Sequence, residues 1–194
     1  MKLLYFDIET SGLNFWQHGI HQLSGKIEID GTTITTFDIK MQPNPSAKID
    51  DVALAVGGVT REILSTYKPM KEAYNEFIGL IQPHCDKFNK TDKFHLVGYN
   101  NASFDNQFLR AWFVQNALTE KDAQYGNYFG SWFWSSSIDV MVLAANKLKS
   151  VRHTMIDFKL NTVAKQLGIA VDDAKLHDAM YDIYLTESIY NLVK

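Results

Sequence analysis

Cysteine is almost absent from this chain, with Cys85 alone. No internal disulfide can form and no metal centre can be built on cysteines, and a reducing cytoplasm fits that usage. Long apolar runs are missing too: nothing approaches the roughly 20 residues that cross a bilayer. The N-terminus meets Asp7 too early to read as a signal peptide. Charge of one sign is not in excess, because 19 Lys and Arg stand against 22 Asp and Glu for a net of −3. A protein that coats a duplex is usually basic, so that class is set aside. Repeats and low-complexity linkers are lacking as well, and no stretch after the last helical segment reads as a tether. What remains is a chain of 194 residues, 46% hydrophobic, which suits one domain over residues 1–194.

The most informative stretch is Leu3 to Gly12. Leu3, Leu4, Tyr5 and Phe6 form a short apolar run without helical period, as in a strand buried on both faces. Asp7 and Glu9 then interrupt it. Side chains alternate along a strand, so the two carboxylates point the same way, roughly 7 Å apart along the chain. Held together at the end of a buried strand they repel each other and lose hydration. A divalent cation removes both problems, and Mg²⁺ and Mn²⁺ take such hard oxygen ligands. The plainer reading is a strand end with two solvated acids, so the pair needs company from the rest of the chain.

Further along, His21–Asp30 and Thr32–Met41 read as strands joined through Asp30-Gly31, a hairpin signal. Pro43 and Pro45 end the second. A short helix and a turn around Gly57-Gly58 follow. Met70, Ala73, Tyr74, Phe77, Ile78 and Ile81 mark an amphipathic helix, with Pro83 past its end. Phe94 to Tyr99 is a second apolar strand, and Ser103 to Gln115 a helix. Residues 119–137 show no clear period. Asp139 reads as the N-cap of the next helix, Gly168 as the C′ residue of a short one, and the last helix begins near Asp178. Strands first, then helices alternating with strands, predict an α/β domain with a central mixed sheet flanked by helices.

Two more carboxylates open apolar stripes. Phe108, Leu109 and Trp112 lie at +3, +4 and +7 from Asp105, and Leu185 and Ile189 at +3 and +7 from Asp182. An acid in a first helical turn also suits the macrodipole, which does not explain why both point inward. Four inward carboxylates suit a two-metal site. His177 is about 140° round a helix from Asp182, so it reaches over the site from a loop, where an imidazole can serve as general base. His18, His21, His84, His95 and His153 read as surface residues. Phe15 and Trp16, just past the first acids, are candidates for stacking on a base. The aromatic segment 125–134 reads as a covering loop pinned to the core rather than a stacking platform.

With these residues assembled, the chain resembles the DEDD exonuclease superfamily, in the histidine-bearing (DEDDh) branch that includes the proofreading epsilon subunit of DNA polymerase III. Asp7-Ile-Glu9-Thr-Ser-Gly-Leu13 is similar to its first motif, Asn101-Ala-Ser-Phe-Asp105 to its second, and His177-Asp-Ala-Met-Tyr-Asp182 to its third. The resemblance implies an RNase H-like fold, two Mg²⁺ or Mn²⁺ ions and stepwise 3′→5′ release of nucleoside monophosphates from single-stranded DNA or RNA ends. It implies Asp7, Glu9, Asp105 and Asp182 as metal ligands and His177 as the base. It also implies Thr10, through its backbone, and Asn101 as contacts to the terminal nucleotide, and a DNA polymerase as a possible partner. Asn100 and Gly57 depart from the family, standing where relatives often carry His. Two alternatives stay open: an RNA-trimming enzyme on the same site, and an idle binding module. An idle copy would be expected to lose one of the five polar groups, and all five are present.

Overall fold

The computed structural model describes residues 1–194. Five strands form one mixed sheet in the order β3-β2-β1-β4-β5. They are β1 (Lys2–Thr10), β2 (Ile20–Ile29), β3 (Thr32–Lys40), β4 (Phe94–Gly98) and β5 (Ile138–Asp139). The first three pair antiparallel, while β4 runs parallel to β1 and β5 parallel to β4. Asp30 and Gly31 turn the β2–β3 hairpin with φ of 49° and 82°. Positive φ at both central residues is the hairpin geometry that Asp-Gly favours. The expected α/β architecture with a central mixed sheet is what the chain adopts, and it is an RNase H-like fold.

Both faces of the sheet are covered, and β1 sorts the two cores by parity. Leu4, Phe6 and Ile8 pack under α3 (Met70–Ile81) and α4 (Asp105–Gln115). Leu3 and Tyr5 pack under α7 (Val140–Lys147), α8 (Leu160–Gln166) and α9 (Ala179–Val193). Asp7 and Glu9 share the parity of Leu3 and Tyr5, so they face the α9 side. Strand β4 pairs with β1 only from Lys2 to Tyr5. Beyond Tyr5 the β4 side of β1 is open, which makes a crevice at the carboxyl ends of the parallel strands, where open α/β sheets generally bind ligands.

The short helices α1 (Asp51–Val56) and α2 (Arg61–Ser65) enclose a small cluster of Leu54, Val59 and Leu64. Residues 119–137, which show no period, fold as α5 (Glu120–Gln124), a tight turn and α6 (Phe129–Trp132). Phe129, Trp132 and Phe133 are buried in the main core, so the segment is pinned to the core. Tyr125 and Tyr128 stay exposed and stack on each other. The expectation of a surface His21 is overturned: its ring is 0% exposed and neither nitrogen has a partner. Its parity puts it in line with Leu23 and Ile27, a pattern that a single His cannot announce. Helix α4 begins at Asp105 rather than Ser103, because Asn100 takes a left-handed φ of 61° and residues 101–104 form a turn. No helix is long and apolar enough to cross a membrane.

Candidate active site

Three elements bring the four carboxylates together. Asp7 and Glu9 come from the end of β1 that pairs with β2 but not with β4, Asp105 from the first residue of α4, and Asp182 from the first turn of α9. Each is held above the ordinary carboxylate range. Asp7 is raised well above it by burial, then by the charges of Asp105, Glu9 and Asp182. Glu9 is pushed up to about 7 by burial and by Asp182. Burial takes Asp105 to about 7, against the backbone N–H groups of Asp105 and Ile8, with Asp139 and Glu9 adding to the rise. Asp182 is raised to about 6 by burial, against the charge and backbone N–H of His177. Like charges in a poorly hydrated cleft produce this pattern.

No lysine or arginine is among the charges acting on these four acids, and none of them forms a salt bridge. The Oδ1 of Asp182 is buried without a hydrogen-bond partner. An orphaned carboxylate oxygen among three other acids is a fitting donor for a hard divalent cation. The acids are neighbours rather than a closed cage, since no three His, Cys, Asp or Glu side chains converge tightly enough to enclose an ion. The two facts agree: charges several ångströms apart raise one another's pKa without touching.

His177 is exposed, just before α9, with a left-handed φ of 70°. Asp178 N-caps that helix through the Tyr181 N–H at 2.9 Å, which fixes where the loop ends. On the other flank, Leu13, Asn14, Phe15, Trp16, Ser103, Phe104 and Phe108 line a cleft of about 280 Å³. Trp16 is 81% exposed and rests on Phe15 with ring centroids 4.8 Å apart, and Phe15 meets Phe108 edge-on. Thr10 is buried, its hydroxyl donating to the Gly12 carbonyl at 2.8 Å.

Asn101 does not join the cleft. The residue is 0% exposed, and its backbone carbonyl accepts the Asn106 N–H at 2.9 Å. It packs so close to Gly98 that a Cβ there would stand 2.7 Å from its own. Its Nδ2 is 3.5 Å from the Asn106 Oδ1 and its own Oδ1 is buried without a partner, so burial separates this side chain from the exposed cleft. Gly57 lies at the site: a Cβ on it would be 3.8 Å from the Glu9 carboxylate. Its lack of a side chain leaves that flank of Glu9 open. Asp139 was legible as a helix cap, but its reach across to the Asn100–Phe104 turn was not, because that contact is long-range.

The chain is 25% identical over 191 residues to a PolC-type DNA polymerase III from Mycoplasmopsis pulmonis, covering 98% of this chain and 11% of that protein. It is 24% identical to Ribonuclease T from Shewanella frigidimarina, covering 96% of this chain and 79% of the relative. Its fold superposes on E. coli Exonuclease I in complex with a dT13 oligonucleotide, with a TM-score of 0.71 and 21% identity, over 100% of this chain and 41% of that one. The chain thus spans about a tenth of the length of the polymerase it matches. A family model described as Exonuclease matches residues 4–190, all three acidic motifs included, and the chain belongs to that exonuclease family, within the DnaQ-like superfamily.

Proposed function

We propose that the protein is a 3′→5′ exonuclease that releases nucleoside monophosphates from the ends of single strands. The observation that carries this reading is the four-acid cleft itself: carboxylates from β1, α4 and α9, each raised above the ordinary range chiefly by burial, with no lysine or arginine to neutralise them. Asp7, Glu9, Asp105 and Asp182 would hold two divalent ions, Mg²⁺ or Mn²⁺, whose oxygen-preferring chemistry matches this donor set. When bound, such a pair supplies charge stabilisation to both the attacking and the leaving oxygen of a phosphodiester.

The chain's own residues do the rest. His177 accepts the proton that the attacking water must lose. The Leu13–Phe108 cleft receives the terminal base, with Phe15 and Trp16 as its stacking surface. The backbone at Thr10 holds the terminal nucleotide at the edge of β1. The lack of a side chain at Gly57 leaves room beside Glu9. DNA is the first substrate, in keeping with the likeness to Exonuclease I and to the PolC-type polymerase. RNA is the second reading, which the likeness to Ribonuclease T favours. A polymerase partner belongs to the first reading only.

The test is a time course on matched 5′-labelled single-stranded DNA and RNA with Mg²⁺ or Mn²⁺, beside a circular single strand. Stepwise shortening of the linear strands with an intact circle is expected, and the faster strand names the substrate. Cutting of the circle would replace the exonuclease reading with an endonuclease.

A further inference from the structure

Outside the acid cluster, three backbone N–H groups from two distant segments converge on one carboxylate. Asp139 Oδ1 accepts from Met141 at 3.0 Å and from Asn100 at 3.0 Å, and its Oδ2 accepts from Ala102 at 3.3 Å. The Met141 bond is an ordinary N-cap of α7. The other two are not capping bonds, since they cross from the end of β5 to the turn after β4. That turn ends at Asp105. It is irregular, with Asn100 left-handed at φ 61°. Phe104, at the N-cap position of α4, supplies no side-chain cap. Ser103 donates its hydroxyl to the Asn100 side chain at 2.7 Å, and Gln107 donates its Nε2 to the Ala102 carbonyl at 3.2 Å.

We propose that Asp139 is a positioning residue for the exonuclease site: its carboxylate clamps the Asn100–Phe104 turn to the end of β5 and so sets where the Asp105 carboxylate stands. Ser, Thr or Asn would cap α7 as well as Asp does. A cap alone gives no reason to keep a carboxylate there. The clamp does, because three donors need the acceptor capacity of two carboxylate oxygens. The proposal rests on the assignment of Asp105 as an ion ligand.

Two variants separate cap from clamp. Asp139→Ser keeps an acceptor for Met141 and is too short for Asn100 and Ala102. Asp139→Asn keeps one acceptor oxygen and turns an NH₂ toward the Ala102 N–H. Each should fold with a urea midpoint near the parent's. Mn²⁺ affinity, read by calorimetry on the nuclease without substrate, should fall about 10–100-fold, the usual effect of losing a group that orients a ligand. Amide exchange at Asn100 and Ala102 should accelerate while the interior of α7 keeps its protection. Parent-like Mn²⁺ binding with unchanged exchange at both amides would overturn the clamp. So would unfolding of both variants, which would make Asp139 a structural residue. If the parent itself binds no Mn²⁺, the ligand assignment fails, and the exchange rates alone then decide whether Asp139 holds the turn.

Discussion

His177 occupies a backbone conformation that an L-residue with a Cβ adopts at a cost of about 1–2 kcal/mol, with φ at 70°. Such outliers gather where function holds them. Two substitutions separate the strain from the chemistry. Both His177→Ala and His177→Gly remove the proposed base and should lower the turnover rate by about 10²–10⁴-fold. Glycine accepts positive φ freely, so His177→Gly should melt higher than His177→Ala. Added imidazole should partly restore both rates, and neither should lose the rise in Tm that Mg²⁺ produces. Equal rates in parent and variants would remove His177 from the chemistry. Asp105→Asn is the complementary case. It removes one of four mutually repelling acids, so the variant in EDTA at pH 8 should be at least as stable as the parent. Mg²⁺ should then raise its Tm far less. These five side chains could be put forward from the sequence because their chemistry is local: acids and one His at fixed spacings in three motifs. The burial of Asn101 and the core position of His21 could not be read from the sequence, because burial is a tertiary property. The same residue types sit in clefts or in cores according to partners that are distant in the chain.

Elements carry the site through their anchoring. Helix α9 holds Asp182, and it is fastened to the sheet by Lys26 of β2, which pairs with Glu187 at 2.5 Å and with Glu28 at 3.3 Å. The lysine is buried and lies over the Tyr5 ring, 4.8 Å from its centroid. Removing one member of a buried pair costs more than replacing the charge with an apolar group, because the partner is left uncompensated. Glu187 keeps part of its surface in solvent, so Glu187→Ala should cost about 2–3 kcal/mol, at or below the usual range. Lys26→Met should cost less, since it fills the same space and leaves Glu187 able to turn to water. Urea melts order the two, and a larger loss for Lys26→Met would mean that packing rather than charge holds α9. Regular elements of this kind were readable in advance. Helix α3 was marked by its apolar period and the β2–β3 hairpin by Asp30-Gly31. Residues 119–137 were not, because their burial comes from Phe129, Trp132 and Phe133 on short turns with left-handed Asn127 and Tyr128. A fold made of one-turn pieces has no period to detect. Strand β5, with two residues, is shorter than any pattern.

At the scale of the whole molecule, two buried sets of titrating groups pull stability in opposite directions with pH. The carboxylates have folded-state values raised to about 7 for Glu9 and Asp105 and about 6 for Asp182, with Asp7 also raised. Unfolded carboxyls titrate near 4. A raised acid stabilises the fold fully below the unfolded value, and that contribution is lost as pH climbs through the folded one. In EDTA these acids should therefore make the protein less stable as pH rises from about 4 to about 7. His21 acts the other way. Burial holds it down at about 4, below the ordinary 6.5, so the unfolded chain gains a proton first and stability falls as pH drops from about 6.5 to about 4. Four acids outweigh one imidazole, and the net slope in EDTA should follow the acids. Saturating Mg²⁺ should reverse it, because the ions bind the ionised folded site and protons compete with them. The Mg²⁺-dependent rise in Tm should be large at pH 8 and nearly gone at pH 5. With the acids neutralised in this way, the His21 slope should emerge. His21→Leu should flatten the remaining slope between pH 6.5 and 5. It should also raise stability at pH 7 by about 1–2 kcal/mol, since two unpartnered ring nitrogens no longer lie in the core. The measurement is a set of melts at pH 5 to 8, in EDTA and in Mg²⁺, for parent and His21→Leu. A Mg²⁺ effect of the same size at every pH would show that the four carboxylates do not bind the ion together. An unaltered slope in His21→Leu would show that the buried imidazole finds a proton or a water that its packing here does not provide.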